Sequence, residues 1–257
     1  MITVNHGGDL GDLVYFLPTA KWLAEHHGEP IVLEIQPLRI TRQRLTPDVY
    51  APLVPLLESQ DYIREVRPWS GEPCTYNGNT WRMTALRALH ESRGQRETSP
   101  AARVPLAEWQ RRQLGAPPRC LEQPWLDIAP PPNGSPAIVF NRSLRYHGPK
   151  DFPWARFVEA HRHESCFIGL QEEHLAFVEA FGEVPYLPTA DLLEAARVIR
   201  GSRLFIGNQS CCFAICEGMK HPAVLEVWRS YPNCCIERDN VVHGVGAHAF
   251  EDSQELR

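Results

Sequence analysis

Blocks of apolar residues recur along the chain with periods that switch between two and 3.6. Ile2 to Asn5 is short and β-branched, and a Gly/Asp-rich turn, His6 to Asp12, follows it. Leu13, Phe16, Leu17, Ala20 and Leu23 then fall at helical spacing, which predicts a helix over Leu13 to Glu25. Gly28 and Pro30 stop it, and Ile31 to Ile35 predicts a second strand. Strand, turn, helix, strand is the opening of an alternating α/β domain.

The middle of the chain is less regular. Val49 to Leu57 predicts a helix, Tyr62 to Val66 a short strand and Gly71 to Asn79 a loop. Trp81 to Ser92 and Leu106 to Leu114 predict helices with arginines on their polar faces. Proline then concentrates: seven of the 23 lie between Pro117 and Pro136, which predicts an interdomain linker over about 115–135. Beyond it alternation resumes. Strands are expected at Ala137 to Phe140, Cys166 to Ile168, Leu204 to Ile206 and Val224 to Val227. Helices are expected at Trp154 to His161, Gln171 to Phe181, Asp191 to Ile199 (with Asp191 and Glu194 as a capping pair) and Cys211 to Met219. The pattern predicts two α/β domains, 1–127 and 128–257, with a cleft between them.

Composition narrows the class. The 257 residues are 43% hydrophobic and 22% charged, globular usage that excludes a wholly disordered chain. No apolar run is long enough for a transmembrane helix, and Met1 to Asn5 has no basic leader, so a cytoplasmic protein is expected. The eight cysteines are read as thiols in a reducing compartment. No C-x-x-C pair occurs, and no metal is expected.

Net charge is −5, yet from Arg82 to Arg119 eight arginines (82, 87, 93, 96, 103, 111, 112 and 119) face only three carboxylates, Glu91, Glu97 and Glu108. Trp81 and Trp109 lie among them. Such a stretch predicts either a solvated helical face or a surface for an anionic acceptor.

Three further segments carry chemistry. Gly7-Gly8-Asp9-Leu10-Gly11-Asp12 links a strand to a helix, where glycines let a ligand approach the helix N-terminus. The spacing is not that of a dinucleotide fingerprint, in which Glu34 would serve as ribose ligand. Asp9 and Asp12 would repel a pyrophosphate there. A carboxylate at that turn suits a general base, or it only caps the helix. The second segment runs from Phe205 to Val227. In it Asn208, Gln209 and Ser210 fill a polar turn, Ser210 and the N–H groups behind it can hold an anion, and Glu226 can bond ribose or sugar hydroxyls. Third, Asn141 to Lys150 follows a strand, and its Arg142, Arg145 and Lys150 can neutralise a diphosphate without a metal.

Taken in order, these pieces resemble the lipopolysaccharide heptosyltransferase family (glycosyltransferase family nine). Gly11-Asp12-Leu13 with Leu17-Pro18 resembles its first loop and helix. Lys150 to Phe157, Ile168-Gly169 with Glu172 and Glu173, and Phe205 to Val227 resemble three segments of its second domain. Asn208, Ser210 and Pro222 match its donor signature, while Gln209, Cys211 and Ala214 stand where the family usually has an acidic residue, Gly and His. Region 40–130 is unmatched. The resemblance implies a GT-B-like fold, two Rossmann-like domains facing each other across a cleft. It also implies an inverting transfer from a nucleotide-diphosphate sugar, with Asp12 as catalytic base, Asp9 next in line, and Gly11, Arg142, Arg145, Lys150, Asn208, Gln209, Ser210 and Glu226 around the donor. The acceptor it implies is an anionic glycan or glycolipid. Two alternatives accompany it: a DNA glycosyltransferase acting on hydroxymethylated bases, and a non-catalytic nucleotide-binding protein.

Overall fold

The computed structural model describes residues 1–37, 45–79, 103–244 and 246–256. It divides into two compact units, Met1–Asp127 and Ile128–Arg257.

In the first unit four parallel strands are ordered β3-β2-β1-β4, with β1 at Thr3–His6, β2 at Ile31–Ile35, β3 at Ile63–Pro68 and β4 at Tyr76–Asn77. Every residue of β2 is buried, as a strand covered on both faces requires. Helix α1 spans Leu10–His27, three residues longer at its start than the apolar spacing alone predicts. Asp9 supplies the reason: it is the N-cap, and Asp12 three residues on accepts the Asp9 N–H through Oδ2 at 3.3 Å. The turn therefore shrinks to Gly7–Asp9.

The helix expected over Val49 to Leu57 is broken into α2 (Pro47–Tyr50), a 3-10 turn (Ala51–Leu53) and α3 (Val54–Glu58), because Pro47, Pro52 and Pro55 each restart the hydrogen-bond ladder. Helix α4, Leu106–Leu114, has the bounds that its periodicity predicts and packs on α1. The helix expected at Trp81 to Ser92, with Arg82, Arg87, Arg93 and Arg96, lies outside the described residues.

The proline-rich segment is not a loose tether. Trp125 is fully buried and its carbonyl accepts the Tyr62 hydroxyl at 2.6 Å. The Asp127 N–H donates to Gln60 Oε1 at 2.9 Å, and Lys21 donates to the Pro124 carbonyl at 3.1 Å. Composition sees the prolines; it cannot see that the apolar residues between them dock on the first unit.

In the second unit five parallel strands are ordered β6-β5-β7-β8-β9: β5 Ile138–Asn141, β6 Ser165–Phe167, β7 Leu204–Asn208, β8 Ala223–Glu226 and β9 Val241–Gly244. Their helices are α5 (Trp154–His161), α6 (Gln171–Phe181), α7 (Leu192–Gly201) and α8 (Cys211–Gly218). Asp191 caps α7 through the Glu194 N–H at 2.8 Å, and Glu194 takes the Ala190 N–H in return. Phe140, Trp154, Phe157, Phe167 and Phe177 form an aromatic core, each ring contributing about 1.5–3 kcal/mol by burial. Strand β9 and a terminal turn of helix, α9 (Ala249–Asp252), lie beyond the last predicted element. Among the described residues, no helix is long and apolar enough to cross a membrane.

Candidate functional site

Strand order marks one end of each sheet. The chain leaves β1 toward β2 and β3 and returns on the other side as β4; it leaves β5 toward β6 and returns on the other side as β7. Open parallel sheets bind ligands outside the carboxyl ends of strands at such reversals. Both polar turns singled out in the sequence lie there, one after β1 and one after β7.

In the first unit, Gly8 has φ of +134° and sits so close to α1 that a Cβ would fall 2.8 Å from Asp12 Oδ2. The turn thus wraps the Asp12 carboxylate. Asp9 is held in the capping position, and Gly11 is the second residue of the helix. The side chain of Gln110, on the buried face of α4, donates to the Asp12 carbonyl at 2.8 Å and meets His6 Nε2 at 3.1 Å. His6 is fully buried, stacked on Phe16 with ring centroids 4.8 Å apart, and burial lowers its pKa to about 3. Glu34, the ribose ligand of a dinucleotide reading, is instead held by Arg67 at 2.7 and 3.0 Å and by the Cys74 thiol at 3.1 Å. Burial and that carboxylate push the Cys74 thiol up to about 11.

The second unit gathers most of the remaining candidates, largely by tying them to one another. Arg142 grips Glu226 through two hydrogen bonds, Nε to Oε2 at 2.9 Å and a terminal nitrogen to Oε1 at 3.1 Å. Glu226 is 1% exposed. The guanidinium also lies over the Trp154 and Phe181 rings. The diphosphate ligand and the sugar ligand expected from sequence are thus one ion pair.

Asn208, fully buried, donates through Nδ2 to the carbonyls of Ser143 (3.0 Å) and Arg145 (2.7 Å), and accepts the Ser143 N–H through Oδ1 at 3.0 Å. Gln209 does the same for the loop after β8. Its Nε2 donates to the Tyr231 carbonyl at 2.8 Å, and its Oε1 accepts the Trp228 N–H at 2.7 Å. Ser210 caps α8 and donates to Asn141 Oδ1 at 2.6 Å, while Asn141 Nδ2 reaches the Ile168 carbonyl at 2.9 Å. Three consecutive polar side chains therefore each anchor a different part of the rim.

Those anchors present residues that the sequence reading missed. Tyr146, in left-handed backbone at φ 55°, meets Trp228 with ring centroids 5.3 Å apart, and the Arg145 guanidinium lies 5.4 Å over the Tyr146 ring. Gly148 lets this loop lie on the end of β8, where a Cβ would fall 2.7 Å from Glu226 Cγ. Arg145 and Lys150 are exposed. Glu173, whose Oε2 accepts the Leu170 N–H at 3.0 Å, has its pKa raised by burial. The signal for Tyr146 was its place inside the Arg142 to Lys150 loop; for Gln110 there was none beyond a polar residue amid apolar helix positions.

The described arginines of the basic stretch and the cysteines are placed as follows. Arg111 and Arg112 both bind the Glu108 carboxylate, and Arg111 is 12% exposed against 61% for Arg112, so of the two it is Arg112 that faces solvent. Burial pushes the Cys74, Cys120 and Cys166 thiols up to about 11 or 12 and those of Cys212, Cys216 and Cys235 higher, which holds them protonated. Among the described residues, no group of three His, Cys, Asp or Glu side chains could hold a metal ion.

No family model matches the chain, and no curated protein sequence matches it closely. Solved structures do. It is similar to the E. coli heptosyltransferase WaaC with ADP-2-deoxy-2-fluoro heptose, at TM-score 0.54 and 12% identity over 99% of both chains. The E. coli ADP-heptose lps heptosyltransferase II superposes at TM-score 0.57 and 13% identity, over 100% of this chain and 98% of that one. A Veillonella parvula protein of glycosyl transferase family 9 does so at 0.56 and 12%, over 99% and 89%. At such identities the likeness shows the fold. Each unit is a Rossmann-like parallel α/β layer, and the fold is GT-B-like, as in these solved structures.

Proposed function

We propose that this protein is an inverting glycosyltransferase that uses a nucleotide-diphosphate sugar and transfers the sugar to a hydroxyl of an anionic glycan. The observation that carries the reading is the set of anchors after β7. Asn208, Gln209 and Ser210 hold three rim segments at the ligand-binding end of the second sheet, and they bring Arg145, Tyr146 and Trp228 together there. Arg145 and Lys150 are exposed cations that can meet a diphosphate, and the N–H groups at the start of α8 add positive potential. Tyr146 and Trp228 offer flat apolar surface to a sugar or base. Solved proteins of the same fold hold ADP or an ADP-heptose analogue.

In the reaction, the Asp12 carboxylate takes the proton of the acceptor hydroxyl. The acceptor oxygen bonds to the anomeric carbon, and the bond from that carbon to the diphosphate oxygen breaks. The nucleoside diphosphate leaves with the electron pair, its charge met by Arg145 and Lys150. One displacement inverts the anomeric centre. Arg142 and Glu226 serve as the buried strut beneath this loop. A glycan acceptor is favoured over DNA because the solved structures that this chain resembles are heptosyltransferases.

A thermal-shift screen of nucleoside diphosphates and their sugars tests the donor. A ligand at 100 times its Kd stabilises by about 2.7 kcal/mol, a shift of several degrees. Release of the nucleoside diphosphate from the stabilising nucleotide sugar then tests turnover. No shift with any nucleotide, and no release, would remove the reading.

A further inference from the structure

Helix α4 reaches the turn that bears Asp12 through one side chain. Gln110 is buried, and its amide nitrogen lies 2.8 Å from the Asp12 carbonyl and 3.1 Å from His6 Nε2. An amide nitrogen has two hydrogens and no accepting lone pair, so both hydrogens are used here and His6 Nε2 accepts. The imidazole is therefore neutral with its proton on Nδ1, an atom that is buried and has no partner among the described residues. The opposite tautomer would set N–H against N–H. Burial keeps the ring from protonating, and the Phe16 stack sets its plane.

The two groups that Gln110 holds bracket the turn. His6 is the last residue of β1, Asp12 lies in the first turn of α1, and between them Gly7–Asp9 wraps the Asp12 carboxylate. The Asp9 N–H reaches Asp12 Oδ2 at 3.3 Å, a bond that a small rotation of the helix turn would break. A side chain that fixes the Asp12 carbonyl relative to the end of β1 fixes that rotation.

We propose that Gln110 is a positioning residue for the Asp12 carboxylate, with His6 as the acceptor that sets the direction of the Gln110 amide. The catalytic consequence rests on reading Asp12 as the base; the geometric one does not. Nothing in the chemistry of α4 alone requires an amide at this buried position, where an apolar residue would pack on α1 as well.

The test uses the full chain, isotopically labelled for NMR, with Asp12→Asn to assign the Asp12 carboxyl signal. The nitrogen shifts of His6 are expected to report the Nδ1–H tautomer, with no titration above about pH 4. Gln110→Met is close in shape and offers no hydrogen, so the Asp12 carbonyl loses its donor and His6 Nε2 its partner. The Asp12 carboxyl, its N–H bond loosened, is expected to titrate about 0.5–1 pH unit higher. Release of the nucleoside diphosphate from the stabilising nucleotide sugar is expected to fall at least about tenfold in kcat, with KM within about twofold and a lowered melting midpoint. Gln110→Ala should repeat the Asp12 shift with a larger loss of stability. An unchanged Asp12 titration in Gln110→Met overturns the proposal, as does an Nε2–H tautomer in the unaltered protein. Absence of release from every nucleotide sugar tried with the unaltered protein counts against the proposed function, and the Asp12 titration still decides the positioning role.

Discussion

Asn208 Nδ2 donates to the Arg145 carbonyl at 2.7 Å, so two residues expected to touch one ligand touch each other instead. The side chain at the end of β7 sets the backbone of the loop, and the loop presents the cation. Tyr146 next to it is held in left-handed backbone, which costs a non-glycine residue about 1–3 kcal/mol and persists only where its surroundings enforce it. Asn208→Ala removes that enforcement. Trypsin should then cut after Arg145 at least about tenfold faster, and the affinity for the nucleotide found by thermal shift should fall by a similar factor. Equal cleavage rates in the two proteins would show that Asn208 does not hold the loop.

The Arg142 and Glu226 pair should behave as a buried strut. Removing one partner leaves an uncompensated buried charge, so Arg142→Ala should lose about 3–5 kcal/mol in urea unfolding. Arg142→Met with Glu226→Met removes both charges and should lose less than Arg142→Ala alone. A double substitution as costly as the sum of the singles would mean that the two act independently.

Asp12→Asn keeps an oxygen that can accept the Asp9 N–H, so α1 should remain capped. Melting should shift little and donor binding should persist, while turnover falls by about two to four orders of magnitude. Turnover within a factor of about three of the unaltered protein would move the base elsewhere.

Acid should destabilise the protein from near neutrality downward. Burial lowers the pKa of His6 to about 3 and that of His221 to about 4, from an ordinary 6.5. Below pH 6.5 the unfolded chain takes up protons that the folded chain refuses. Folding free energy then weakens by about 1.4 kcal/mol per pH unit for each imidazole, until the folded pKa is reached. His221→Gln, which can still pair with Ser202, should flatten the urea-unfolding free energy between pH 6 and about 4. An unchanged slope would mean that His221 protonates freely in the folded state.

Glu108 should discriminate between its two arginines. Arg111 is mostly covered and also donates to the Ala116 carbonyl at 3.0 Å, past the end of α4, whereas Arg112 is exposed. Arg111→Ala should lose about 1–3 kcal/mol and Arg112→Ala under about 1 kcal/mol, measured by denaturant titration. Equal losses would place the stabilisation in helix propensity rather than in the contacts.

Sequence by itself determined the elements. Residues whose period is set by local geometry, such as Leu106–Leu114, Trp154–His161 and Gln171–Phe181, stand where their spacing puts them, because the buried face of a helix is written within a few turns. The polar turns after β1 and β7 were legible for the same reason, being short breaks between periodic runs. Tertiary structure decided which polar side chain meets which. Arg142 and Glu226 are 84 residues apart, Asn208 and Ser143 are 65 apart, and Gln110 and Asp12 are 98 apart. No local periodicity reports such pairs, because a hydrogen bond across strand ends depends on sheet order and register. It is the order β6-β5-β7-β8 that brings the side chains expected around a donor together, where they also hold one another and the loops after β5 and β8.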